Sequence, residues 1–437
     1  MITNGLNCRK DPSIVGKLVE NFCAVSEGIN YAHLIYRDQP KNLYILNVMI
    51  KCMPFDKAIK LFTNETVNLV FDEFTYIFVL GTCARSSSSD SLSAGKQIHT
   101  RIFKIGFVSD ITIQTTAINF YAKNGDLISA RKMFDEMPVR TSATWNAMIT
   151  GYCSQGKTLT SNAHQALMLF RKMLLESCSV KPTDVTLVGV LSACSRLGIL
   201  ATGISVHGFI HKTIYVPEDD IFISTGLVDM YSKCGCIRSA ESVFKRMKEK
   251  NVLTWTSMVA GLALHGQGKE ALEMLSSMET DNVKPNAVTF TNLLFGCCHS
   301  GLVEEGLYLF NNMSSKFGIE PQIQHYGCIV DLLGRAGRIK ETYEFIIGMK
   351  IEPDEILWRS LLGSCKIHGD VVMGEKVGKL LLKLQSRRGK METSSSCEDF
   401  IALSNVYAEA ERWDDVVVVR EMMKIKGIQT KPGCSFV

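Results

Sequence analysis

The sequence predicts an all-α fold, a superhelical solenoid built from antiparallel helix pairs. Three observations predict it: a short motif with a fixed glycine, helical apolar spacing on either side of it, and a small residue recurring at a near-constant interval. The motif reads FYAKNGDL (120–127), GYCSQGKT (151–158), MYSKCGCI (230–237), GLALHGQG (261–268) and LLGRAGRI (332–339). Its sixth residue is always Gly, the residue that a tight turn between two helices favours. Upstream stretches such as TWNAMIT (144–150) and TWTSMVA (254–260) carry apolar residues three and four apart. So do downstream ones such as QALMLFRKM (165–173), SAESVFKRM (239–247), EALEMLSSM (270–278) and EGLYLFNNM (305–313).

The second helix of each pair is marked by a small residue with an apolar one four places on: Ala58, Ala94, Ala130, Ala166, Thr202, Ala240, Ala271, Gly306 and Thr342, at intervals of 31 to 38 residues. Small residues there let two helices approach, and the larger residue fills the groove between repeats. No such unit buries its own apolar face alone, so the units must stack.

One motif copy, GYCSQGKT, also fits the phosphate-binding pattern G-x-x-x-x-G-K-[ST]. That pattern needs a strand before it and a helix opening after it. Here the upstream residues are spaced as a helix. The stretch WDDVVVVREMM (413–423) has the apolar run of a magnesium-binding strand, but its acids precede the run and helix formers follow. The match is a coincidence of the repeat, and Gly156 is assigned to a helix–helix turn.

Composition narrows the function classes. Of 437 residues, 46% are hydrophobic and 21% charged, which suits a packed chain and argues against disorder. A formal charge of +4 permits a polyanionic partner without demanding one. The 15 cysteines are evenly spread, odd in number and mostly within apolar helical patterns, which reads as buried thiols in a reducing compartment. The triplets Asn64-Glu-Thr and Asn312-Met-Ser then carry no weight as glycosylation sites. No uninterrupted apolar run reaches the roughly 18 residues of a membrane span. The opening MITNGLNCRKDP is no clear signal or transit peptide.

A tetratricopeptide array would show W-x2-L-G-x2-Y, which is missing. The chain shows T-[WY]-[NT]-x-[ML]-[IV] instead, as in TWNAMI (144–149) and TWTSMV (254–259), and units close on VKPT (180–183), VKPN (283–286) and IEPD (351–354). With FYAKNGDLISARKMFDEMP (120–138) and HYGCIVDLLGRAGR (325–338), the chain closely resembles the pentatricopeptide repeat family. The likeness is to its plant form, in which three repeat lengths alternate, and it runs from about residue 12 to the end. Short units fall at 12–42, 111–141, 221–251 and 323–354, and standard units at 43–72, 142–183 and 252–286. Long units fall at 73–110, 184–220 and 287–322, marked by GKQIHTRIFKIGF (95–107) and GISVHGFIHKTIY (203–215). LWRSLLGSCKIHGD (357–370), LSNVYAEAERWDDVVVVREMMKIKGI (403–428) and KPGCSFV (431–437) resemble the family's E-type extension repeats, with no DYW deaminase domain after them. The expected organisation is a remnant or partial long repeat at 1–11, the array at 12–354 and the extension at 355–437. The Ser-rich stretch 384–399 is read as a loop.

The resemblance implies a right-handed superhelix that binds single-stranded RNA, with about one base read per repeat. In the family, the fifth and last residues of a repeat read the base. Here those are Asn47 with Asp72, Thr115 with Thr141, Asn146 with Thr183, Thr225 with Asn251, and Thr256 with Asn286. By the family's code the site shows a U early, a pyrimidine in the middle and two adjacent A residues near its 3′ end, running 5′ to 3′ from the N-terminus. Thr115 with Thr141 carries only a general purine expectation. Gly16 with Asn42 and Gly327 with Asp354 offer no fifth side chain, and the long units, with Ile77, Val188 and Thr291, are assigned no base. Apolar residues just before the pairs are placed to slip between bases, and scattered Lys and Arg to track phosphates.

Members with these extensions often serve organellar C-to-U editing, some through their own deaminase domain. That chemistry needs H-x-E and C-x-x-C around zinc. None of the nine His is followed two residues later by Glu, and no C-x-x-C occurs. Cys297-Cys298-His299 and the pair Cys365 and His368 are assigned to packing. The expectation is therefore no catalysis, metal or cofactor in this chain. A deaminase-containing partner would be recruited through 355–437, in a mitochondrion or chloroplast, with the mitochondrion ahead. The array is expected to be monomeric and off the membrane. The alternatives are a factor for organellar RNA stability, splicing or processing, and a tetratricopeptide-like solenoid that binds protein and no RNA.

Overall fold

A computed structural model of the chain describes residues 12–23, 28–37, 42–65, 69–86, 88–154, 159–176, 180–213, 217–388 and 395–425. Among these residues there are 24 α-helices and no strands. They divide into two compact units, Met1–Tyr215 and Val216–Val437.

In the first unit six helix pairs follow one another. They are α1 (Pro12–Cys23) with α2 (Gly28–Arg37), α3 (Leu43–Cys52) with α4 (Phe55–Glu65), and α5 (Glu73–Arg85) with α6 (Ser89–Ile105). Then come α7 (Ile111–Lys123) with α8 (Leu127–Glu136), α9 (Ser142–Ser154) with α10 (Leu159–Glu176), and α11 (Asp184–Leu197) with α12 (Leu200–Thr213). The second unit also holds six. They are α13 (Ile221–Lys233) with α14 (Ile237–Arg246), α15 (Val252–Leu264) with α16 (Gly268–Thr280), and α17 (Ala287–Ser300) with α18 (Val303–Phe317). After them stand α19 (Ile323–Arg335) with α20 (Ile339–Ile347), α21 (Glu355–His368) with α22 (Val371–Arg388), and α23 (Ser395–Glu409) with α24 (Trp413–Ile425). From α1 to α21, the first helix of every pair begins on the first residue of a unit read from the sequence.

Local chemistry explains these starts. Asn42, Asp72, Asp110, Asp220, Asn251, Asn286 and Asp354 each precede a first helix with extended backbone, and their side chains accept from its free N–H groups. The turns between paired helices close on Gly125 (φ 85°), Gly235 (84°), Gly266 (69°) and Gly337 (76°), all in the left-handed region that the motif predicts. The assignment of Gly156 to such a turn lies outside the described residues.

Within each compact unit, consecutive first helices pack side by side, and second helices seal the joint from behind. At the marker positions Ala58, Ala130, Ala166, Ala240, Ala271 and Thr342 are at most 1% exposed. The aromatic four residues on meets the next first helix edge to face: Phe134 on Trp145 at 4.8 Å, Phe244 on Trp255 at 4.9 Å, Phe310 on Tyr326 at 5.1 Å and Phe62 on Tyr76 at 6.1 Å. Each such pair contributes about 0.5–1.5 kcal/mol beyond its buried area.

Two markers are displaced by one residue. In the long units Ala94 and Thr202 are only half-buried, and the buried residue is the next one, Gly95 or Gly203. At Gly95 the reason is contact: a Cβ there would lie 2.1 Å from the Phe120 ring, so the ring packs directly on the helix backbone.

The stretch 384–399 is mostly not a loop. α22 continues to Arg388 and α23 begins at Ser395, leaving only 389–394 outside the described residues. Asp399, fully buried, ties this segment to α21 through the Arg359 guanidinium, with Nη2 donating to Oδ2 at 3.1 Å. Beyond it Phe400, Leu403, Tyr407, Val416, Val419 and Met423 form one apolar cluster between α23 and α24. Among the described residues no helix is long and apolar enough to cross a membrane.

Candidate nucleic-acid interface

The residue that ends one unit caps the first helix of the next. The fifth residue of a unit sits one turn into its own first helix. Because consecutive first helices stack in register, these two side chains meet. Asn47 Nδ2 donates to Asp72 Oδ1 at 3.2 Å, and Asn146 Nδ2 donates to Thr183 Oγ1 at 2.8 Å. In the other three units the meeting is indirect. Thr115 and Thr141 both bond Thr144 Oγ1, at 2.9 and 3.1 Å. Thr225 bonds Thr254 at 2.7 Å, and Thr254 donates to Asn251 Oδ1 at 3.1 Å. Thr256 bonds Thr289 at 2.8 Å, and Thr289 donates to Asn286 Oδ1 at 3.1 Å.

The structure thus gathers all ten sequence-selected residues into five groups and adds a third member to each, the threonine third in the following helix. Thr75, Thr144, Thr186, Thr254 and Thr289 are all 0% exposed. Their signal is the spacing Asp/Asn/Thr-x-x-Thr, as in DEFT (72–75) and NVLT (251–254), a variant of the capping box. Two group members are less open than a reading residue needs to be alone: Asn47 is 5% and Thr256 8% exposed. Asn47 Oδ1 is buried and has no hydrogen-bond partner among the described residues.

The units assigned no base differ in construction. Ile77 and Val188 place apolar side chains where the polar fifth residue would stand. Thr291 turns its hydroxyl onto Ala287 O at 3.0 Å, and His325 takes the third-residue place. Its Nδ1 accepts from Gln322 N at 2.9 Å, so its Nε2–H donates to Ala287 O at 2.8 Å. At Gly16 the Tyr44 ring occupies the space of the missing side chain.

Beside the polar groups runs a row of exposed apolar side chains, the second residue of most first helices. Tyr44, Phe74, Val185, Phe222, Leu253 and Val288 are 49 to 65% exposed. Water-facing side chains of this size, at six of the ten repeats and next to hydrogen-bonding groups, make a surface suited to flat partners with polar edges. Unpaired bases are such partners.

Cys297, Cys298, His299, Cys365 and His368 take no part in the five groups. Cys297 and Cys365 are fully buried, and burial pushes both thiols up to about 12, so they stay protonated at neutral pH. Cys298 donates to Asp331 Oδ2 at 3.0 Å. His299 is exposed and packs on Phe295, and His368 faces solvent beside Gly337. Among the described residues, no group of three or more His, Cys, Asp and Glu is placed to hold a metal ion.

Comparison with known proteins agrees with the repeat architecture. A PPR repeat model matches residues 115–140, 143–178, 222–252 and 288–316, and a PPR repeat family model matches 250–299. An E motif model matches 368–437. A pentatricopeptide repeat-containing protein of Arabidopsis thaliana is 48% identical, covering 100% of this chain and 94% of its own length. The chloroplastic protein CRR2 of the same plant is 34% identical over 97% of this chain, which spans 63% of that relative. A further relative, named mitochondrial, is 34% identical over 94% of this chain, which spans 62% of it. Among solved structures, maize PPR10 in complex with an 18-nt psaJ RNA element is similar at a TM-score of 0.71 and 16% identity, covering 95% of this chain and 61% of that one.

Proposed function

The chain belongs to the pentatricopeptide repeat family, and from that premise we propose that it is a sequence-specific adaptor for single-stranded RNA. The observation that carries the reading is the recurrence, in five repeats, of a polar group built from the fifth residue, the following cap and a buried threonine, four of them beside an exposed apolar side chain. Bases stacking on the apolar row would turn their Watson–Crick edges to the polar groups. The solved neighbour of the same fold was captured with RNA, which supports the reading. Asn47 with Asp72, Thr115 with Thr141 and Asn146 with Thr183 would read bases in the first unit. Thr225 with Asn251 and Thr256 with Asn286 would read two adjacent bases in the second.

The array at 12–354 binds, and the extension at 355–437 recruits. The E-motif match at 368–437 supports this division. C-to-U editing would use a deaminase-containing partner docked on the extension. Relatives named chloroplastic and mitochondrial support an organellar setting.

The test is affinity selection of random single-stranded RNA on the purified chain. Enrichment of a U, then a pyrimidine, then two adjacent A residues, at one-base-per-repeat spacing, is the expected result. No enrichment, with retention lost at moderate salt, would refute the reading and leave protein binding as the solenoid's role.

A further inference from the structure

The threonine third in a first helix segregates with the reading groups. It follows each of the five units assigned a base, as Thr75, Thr144, Thr186, Thr254 and Thr289, fully buried every time. After the other five units the same place holds Ile45, Ile113, Ile223, His325 and Leu357. A helix cap alone does not explain this division. Asn42, Asp110, Asp220 and Asp354 cap their helices by side-chain bonds with no threonine there.

Counting protons shows what the threonine does. A hydroxyl has one proton to give and two lone pairs. Asn251 Oδ1 already accepts from Leu253 N and Thr254 N, each at 3.0 Å, which fixes it as the amide oxygen. The Thr254 hydroxyl, 3.1 Å away, must therefore donate to it. Its proton is then spent, so across the 2.7 Å contact the Thr225 hydroxyl donates to Thr254. Thr225 is left with only lone pairs to offer a ligand. The next group gives the same outcome. Thr289 donates to Asn286 Oδ1, and the one proton of Thr256 goes inward, to Val252 O at 2.7 Å or to Thr289 at 2.8 Å.

With asparagine as fifth residue, the same device sets the opposite polarity. Thr186 Oγ1 donates to Asn146 Oδ1, and Asn146 Nδ2 gives one proton to Thr183 Oγ1 at 2.8 Å. The second Nδ2 proton is left for a ligand. In the first reading group Thr75 instead holds the cap, donating to Asp72 Oδ1 at 2.7 Å.

We infer that the buried threonine is a specificity-determining positioning residue in two of the reading groups: Thr254 fixes Thr225 as an acceptor, and Thr186 fixes Asn146 as a donor, toward the base. The inference rests on the RNA-binding proposal. An acceptor-only hydroxyl favours the adenine amino group and opposes the guanine carbonyl, because two facing acceptors share no proton. Removing the hydroxyl of Thr254 frees the Thr225 proton. Thr225 then donates or accepts, and both purines are satisfied.

The experiment is random-RNA selection on the full chain, run in parallel on wild type, Thr254→Val, Thr254→Ser and Thr289→Val. Valine keeps the shape and removes the hydroxyl. Thr254→Val is expected to lower the preference at one motif position about ten-fold, the effect of one lost hydrogen bond. Thr289→Val should leave the preference at the adjacent position in place, because Val252 O still takes the Thr256 proton, and Thr254→Ser should retain the wild-type motif. Loss of packing alone would weaken all positions together. A wild-type motif that persists unchanged in Thr254→Val, or fades evenly across its length, overturns the inference and leaves RNA binding intact. A wild-type chain that enriches nothing overturns the RNA-binding proposal itself.

Discussion

At Gly95 a methyl group decides how closely two repeats approach. A Cβ added there would sit 2.1 Å from the Phe120 ring, which is fully buried and has nowhere to retreat. Overpacking of this kind costs about 2 kcal/mol, so Gly95→Ala should lower the urea unfolding midpoint by that equivalent. Gly208 supplies the contrast on α12, since a Cβ there would meet nothing within 4 Å. Gly208→Ala should therefore raise stability by up to about 1 kcal/mol, the helix-propensity gain. The sequence makes the neighbourhood of Gly95 legible but not the residue: the marker falls on Ala94, because spacing alone does not tell which of two adjacent small residues faces the ring. The same holds in the reading groups. Asn, Asp and Thr before a helix announce caps, and their recurrence with the fifth residue announces pairs. The buried threonines are marked only by the Asp/Asn/Thr-x-x-Thr spacing, which reads as an ordinary capping box until the hydroxyl is seen to bridge two others.

The helices themselves are the most legible elements, and the starts of the first helices above all, because most of them follow an Asn, Asp or Thr cap. The exception is instructive. The stretch 384–399 is polar and Ser-rich, which reads as a loop, yet α22 runs to Arg388 and α23 starts at Ser395. What composition does not show is the tertiary tie: Asp399 is fully buried against Arg359 of α21, so α23 is held in place by an ion pair 40 residues apart in sequence. Arg359 also reaches Glu355 at 3.4 Å, within its own helix. Replacing the guanidinium leaves the carboxylate in the interior without this partner. Arg359→Met should thus cost about 3 kcal/mol in unfolding free energy, and Arg359→Met with Asp399→Leu should recover most of it. Equal losses in the single and double variants would show that the pair is not what holds α23.

At the scale of the whole molecule, each proposed reader is built across the junction of two repeats and is nearly independent of the others. That independence makes the central claim testable by transplantation. Asn146 with Thr183 occupies the place in the first unit that Thr256 with Asn286 occupies in the second. The double variant Asn146→Thr with Thr183→Asn gives α9 and α11 the reading pair of α15 and α17, with Thr186 already in place beneath it. The most direct measurement is the RNA motif selected by this variant beside that of the wild type. The account predicts that one position changes from pyrimidine to adenine while every other position keeps its base. A motif unchanged at that position, or altered throughout, would contradict the claim that these pairs read bases one by one.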